Sequence, residues 1–131
     1  MRLWIDDVRP APEGYDCWCK SVNEAKDFIL SQERRRDDAL KIAQFNLNKR
    51  HDLVAYRGAL KIASNRDIEL IDIDNDAGDY ASDGGDYIKL LDWFEETGRN
   101  YPIHIHTANP VARENMRRII KRNGWKEVFD L

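Results

Sequence analysis

Six aspartates fall within the fifteen residues 72–86, DIDNDAGDYASDGGD, and a further pair, Asp6-Asp7, closes the short apolar run at 2–5. Carboxylates gathered in one place raise one another's pKa, whereas a divalent cation stabilises all of them as anions. Oxygen-only donors favour Mg²⁺ or Mn²⁺, which keep bound waters and take phosphate oxygens as ligands. Asp6, Asp7, Asp74 and Asp76 are therefore the expected metal ligands. His106 is the expected general acid, since an unperturbed imidazole titrates at about 6.5. Asp74 and the Thr107 hydroxyl complete the expected catalytic set. For the phosphate itself, Arg9 offers a bidentate guanidinium. Arg113 and a helix N-terminus at Asn109-Pro110 add positive potential.

Each of these residues also has a plainer use. Asp6-Asp7 can simply end a strand, Arg113 can be a solvated helix residue, and His104 suits a hydrogen-bonded core histidine. A calcium loop beginning at Asp72 would need Gly at its sixth position and Glu at its twelfth. Those positions hold Ala77 and Asp83. A zinc site on His104-x-His106 would need a third ligand from the aspartates.

The elements that must position these groups follow from pattern. Residues 2–5 (RLWI), 68–73 (IELIDI) and 102–106 (PIHIH) read as buried strands, each ending in a polar residue. Residues 8–15, with two prolines and a glycine, read as loop, and 16–20 as a brief edge strand. Ser21 is the expected N-cap of a helix, with Glu24 completing a capping box and Ala25, Phe28 and Ile29 on one face. In the polar stretch 33–63, Leu40, Phe45, Leu47, Leu53, Val54, Leu60 and Ile62 are spaced for one or two amphipathic helices. A helix is expected from about 85 to 97 with Gly98 as its stop. Another is expected over 110–123 between the Asn109 cap and Gly124, then a short strand at 126–129. Strands alternating with helices imply an α/β fold of three layers with a mostly parallel, doubly wound sheet. Ligands in such sheets sit beyond the carboxyl ends of the strands, so the polar strand ends converge if the sheet is parallel.

Length and composition set the frame. The 131 residues suit a single domain (1–131), with 42% hydrophobic and 34% charged residues as in a soluble globular chain. A net charge of −3 gives no strong nucleic-acid signal. No apolar run reaches the roughly 18 residues of a membrane span, and the start turns acidic too early for a signal peptide, so a cytoplasmic setting is expected. Cys17 and Cys19, one residue apart, are expected as two buried or half-buried thiols on a strand.

Taken together, LWIDDVRPAPEG at 3–14, IDNDAGDY at 73–80, GGDYIKLLDWF at 84–94 and HIHTANPVARENM at 104–116 resemble the cyclic-phosphate-processing receiver-like domains of bacteria. The resemblance implies a receiver/flavodoxin-like fold with a helical insertion at about 33–63. It also implies a metal-dependent acidic pocket. Asp6 and Asp7 match the family's acidic pair, Asp74 the receiver's phosphate-accepting aspartate and Thr107 its hydroxyl residue. Arg9 matches the arginine of the DDxRP motif, and His106 the histidine before the Ser/Thr-Ala-Asn-Pro turn. Asn75 departs from the family's Asp-His-Asp pattern, and no lysine follows the last strand. The expected function is metal-dependent, phosphoesterase-like processing of a cyclic phosphate or related phosphoester. The alternative is a non-catalytic module binding metal, a phosphorylated ligand and a protein partner, or a second copy of itself.

Overall fold

Four apolar runs too short for helices become the strands of one sheet. In the computed structural model, which describes residues 1–131, they are β1 (Arg2–Ile5), β2 (Cys17–Cys19), β3 (Leu70–Ile73) and β4 (Ile103–Ile105). All pair in parallel, in the order β2-β1-β3-β4. The helices are α1 (Val22–Phe45), α2 (Leu53–Asn65), α3 (Ile88–Thr97) and α4 (Pro110–Asn123). None of them is long and apolar enough to cross a membrane.

Register sorts the side chains by face. Leu3, Ile71 and Ile103 lie in one row and Ile5, Ile73 and Ile105 in the next, and all are buried. Helix α3 crosses from β3 to β4 and α4 follows β4, and their Leu90, Leu91, Phe94, Met116 and Ile120 are also buried. Burial on this scale contributes about 1.5–3 kcal/mol per large side chain. The opposite face carries Trp4, Asp72 and His104 in one row. No helix separates β1 from β2, and the proline-containing loop 6–16 supplies the cover of this face instead, with Tyr15 meeting the Trp4 ring edge-on at 5.3 Å.

Local signals set most boundaries. Ser21 Oγ accepts from Glu24 N–H at 3.0 Å, so α1 starts at the expected cap. Asn109 Oδ1 accepts from Val111 and Ala112 N–H, and Gly124 ends α4 in the left-handed region. Two boundaries differ from expectation. Helix α3 begins at Ile88 rather than near 85, because Gly84 and Gly85 have φ of +112° and +90°, which no helix contains. The strand expected at 126–129 shrinks to a single bridge between Glu127 and Ile103. There the Glu127 carboxylate is drawn onto Arg117.

The chain resolves into two compact units, residues 1–26 with 68–131, and residues 27–67. The second unit holds most of α1 and all of α2, joined through a π turn at 46–50. Its buried positions are not the large apolar residues expected there. Ala39, Ala43, Ala59 and Ala63 are buried, whereas Phe45, Leu53, Val54 and Ile62 are more than half exposed. Ala39 and Ala59 line a groove between the two helices, with Ile42 and Ile62 beside them. Arg66 donates to Gln32 at 3.1 Å, and Arg36 pairs with Asp67 across the same two helices.

On β2 the thiols of Cys17 and Cys19 stand 3.6 Å apart and unbonded, one half-buried and one buried as expected. Burial pushes both thiols above their usual range.

Candidate metal and phosphate site

Parallel pairing brings the polar strand ends to one edge of the sheet. Asp6 follows β1, Asp74 follows β3 and His106 follows β4, and a ligand atom from each lies within 4.8 Å of the others. Asp7 belongs to the same cluster. Burial raises its carboxyl most, and the charges of Asp6, Asp74 and Asp76 raise it further. Asp76 Oδ1 accepts from Gly78 N–H at 2.8 Å, which folds the loop back toward the cluster. Gly78 has φ of +54°, and a Cβ there would run into Asp7 Oδ2.

Asp6 is 1% exposed and strongly held. Its Oδ1 accepts from the N–H groups of Val8 and Arg9, both at 2.9 Å. Its Oδ2 faces His106 Nε2 at 2.9 Å. Burial alone would raise this carboxyl. The two amides and the imidazole outweigh it and hold the group below the usual carboxylate range. The same N–H groups orient the loop that carries Arg9, whose side chain is exposed.

Asp72, which in sequence stood out only as a possible first residue of a calcium loop, organises the rest. Asp72 sits inside β3, 1% exposed, with Trp4 and His104 as its neighbours across the sheet. Its Oδ1 meets His106 Nδ1 at 2.6 Å and His104 Nδ1 at 2.8 Å. Its Oδ2 accepts from the Tyr15 hydroxyl. Burial works against its ionisation, but the three hydrogen bonds prevail and lower its carboxyl. The His106 ring is thus clamped between Asp72 and Asp6, and it stacks on Trp4 with centroids 3.9 Å apart and planes 2° from parallel. Burial pulls the imidazole pKa down, yet Asp72 and Asp6 together raise it. One sequence signal pointed to Asp72: a charged residue inside an otherwise aliphatic strand is buried and must be paired.

The other expected site residues fall in definite places. Thr107 is buried, with Oγ1 accepting from Asn109 N–H at 3.2 Å. The Asn109 side chain is spent on capping α4. Arg113 donates to the Thr107 carbonyl, so it is tied to the end of β4 and is not a freely solvated residue. Asp83 lies away from this cluster, accepting from Ser21 Oγ at 2.6 Å and Asn23 Nδ2 at 3.1 Å. Since Asp72 belongs to a strand, no calcium loop begins there. His104 and His106 do converge on an aspartate, as a zinc site would require. Both turn Nδ1 onto one oxygen of Asp72 at hydrogen-bond distance.

Asp6, Asp7 and Asp74 do suit a hard divalent ion. They are oxygen donors gathered without a lysine among them, and a carboxylate oxygen already accepting one hydrogen bond keeps a second lone pair for a cation.

A four-stranded parallel sheet, wound with helices and carrying acidic residues at its carboxyl edge, defines a receiver-like α/β domain. Residues 47–122, more than half of the chain, match the family model of the cyclic-phosphate processing receiver domain, and the protein belongs to that family. The matched stretch includes Asp74, Asp76, His106, Thr107, Asn109 and Arg113, while Asp6, Asp7 and Arg9 precede it. Neither the curated proteins nor the solved structures compared with the chain gave a significant match.

Proposed function

We propose that the protein is a metal-dependent, phosphoesterase-like enzyme acting on a cyclic phosphate or a related phosphoester. The observation that carries this reading is the meeting of Asp6, Asp7, Asp74 and Asp76 at one sheet edge, with the Asp7 carboxyl raised among them. Like charges so placed are stable as anions when a cation joins them. Asp6, Asp7 and Asp74 would hold Mg²⁺ or Mn²⁺, and Asp76 would orient water. Such an ion, when bound, polarises a phosphoryl group and lowers the pKa of a bound water. Arg9 would bind phosphate oxygens from the loop that Asp6 fixes, with Thr107, Asn109 and Arg113 framing the far side. His106 holds its Nε2 against Asp6, so it serves as general acid only when that hydrogen bond opens toward a leaving oxygen.

Thermal melting of wild type and Asp74→Asn, with and without Mg²⁺ or Mn²⁺, tests the metal. A ligand of the native state adds about 2.7 kcal/mol at a hundredfold excess over its dissociation constant. The expected result is a metal-dependent rise in wild type that Asp74→Asn removes. Ring-opening of a five-membered cyclic phosphodiester, followed by ³¹P NMR, then tests turnover. No metal response in either protein would sink the reading.

A second reading is a non-catalytic module that binds metal and a phosphorylated ligand and docks a partner protein. Two observations favour it: both ring nitrogens of His106 are engaged, and Asn75 replaces a potential acid/base. Metal-dependent ³¹P shifts without ring-opening would select it.

A further inference from the structure

Beyond Ile103 the outer edge of β4 loses its neighbour. Ile103 N–H donates to Lys126 O at 3.0 Å, and its carbonyl accepts from Val128 N–H at 2.7 Å. Past that bridge a cleft of about 250 Å³ opens, walled by His104, Arg113, Arg117, Glu127 and Phe129 over Ile105. None of its function is accounted for by the acidic cluster.

The charges in the cleft do not balance. Arg117 uses Nε and Nη2 on the Glu127 carboxylate, at 2.9 and 2.7 Å. Arg113 hydrogen-bonds a neutral carbonyl, that of Thr107. In the lining two guanidiniums face one carboxylate, with Glu114 acting on Arg117 from outside it, and a guanidinium has five N–H donors to place. His104 adds an imidazole that is 22% exposed, with Nδ1 donating to Asp72 and Nε2 left as an acceptor. At the mouth stands Phe129, 67% exposed, with the Arg117 guanidinium 5.4 Å from its ring centroid. Pairing an anion-binding guanidinium with an exposed ring selects a ligand that carries both charge and a flat apolar part. The volume suits one ring and one phosphate, below the usual range for larger ligands.

We propose that this cleft binds a small organic phosphate bearing a planar ring, with the phosphate on Arg113 and the ring against Phe129. The site needs no divalent ion, and it shares Arg113 with the metal-dependent reading. It touches the acidic cluster at one atom, since His104 and His106 share Asp72 Oδ1.

The test is titration of the ¹⁵N-labelled full chain with phenyl phosphate and, separately, inorganic phosphate, both in EDTA. Phenyl phosphate is expected to give saturable shifts at His104, Arg113 and Phe129, and to bind more tightly than inorganic phosphate. Phe129→Ala should weaken phenyl phosphate roughly threefold to tenfold and bring it level with inorganic phosphate. Arg113→Gln should weaken both ligands at least about tenfold. Phe129 is exposed, so its variant keeps the test decisive even if Arg113→Gln fails to fold. Absence of saturable shifts, shifts centred on Asp6 and Asp74, or unchanged affinity in Phe129→Ala would each overturn the proposal.

Discussion

At Asp72, three donors from two parts of the chain meet one buried carboxylate: Tyr15, His104 and His106. A carboxylate so placed is stable only while its partners remain, because an unpaired buried charge is expensive. Asp72→Asn keeps the shape but removes the charge that faces His106, and its amide nitrogen cannot accept. The variant is expected to lose about 2–4 kcal/mol in urea denaturation. The metal-induced rise in melting temperature should survive, because Asp6, Asp7 and Asp74 all remain. Loss of both together would make Asp72 a ligand rather than a support.

The elements make their own predictions. In the hairpin of α1 and α2, alanines are buried and large apolar residues exposed, the reverse of the pattern that spacing implies. Ala59→Glu, at a 6% exposed position, should therefore destabilise by about 1–3 kcal/mol by burying a carboxylate. Val54→Glu, at an 84% exposed position, should stay within about 0.5 kcal/mol of wild type. The reverse ranking in thermal melts would contradict the observed burial. At the start of α1, Asp83 is held below its usual 3.8 by hydrogen bonds from Ser21 and then Asn23. A carboxyl lowered on folding adds stability that is fully present above its unfolded value. That stability is lost as pH falls through the lower folded value. The melting-temperature gap between wild type and Asp83→Asn is thus expected to be constant above about pH 5 and to shrink in more acidic buffer. A gap that instead widened in acid would reverse the assigned direction.

Across the whole molecule, the acidic edge sets function against stability. Asp7 is raised by burial and by three neighbouring carboxylates, so without metal it opposes folding. Asp7→Asn is expected to raise the melting temperature in EDTA and to reduce the rise caused by Mg²⁺ or Mn²⁺. Such opposite signs are the usual mark of a site kept at some expense to the fold. A variant less stable in EDTA would show instead that Asp7 holds the loop that Gly78 brings against it.

How much of this could be read in the chain itself depended on distance. Strand ends at Asp6, Asp74 and His106, the Ser21 and Asn109 caps and the stop at Gly124 are legible because apolar runs and caps act over a few residues. Once alternation of strands and helices implied a parallel sheet, the convergence of Asp6, Asp7, Asp74 and Asp76 followed. The sequence by itself thus determined the α/β class and the acidic edge. Only the tertiary structure decided what Asp72 does, because its partners lie 57, 32 and 34 residues away and are brought together by strand register. It also decided which helix faces are buried between α1 and α2. There the alanines are covered and the larger residues beside them are not, an outcome of how the two helices meet that no one-dimensional pattern encodes.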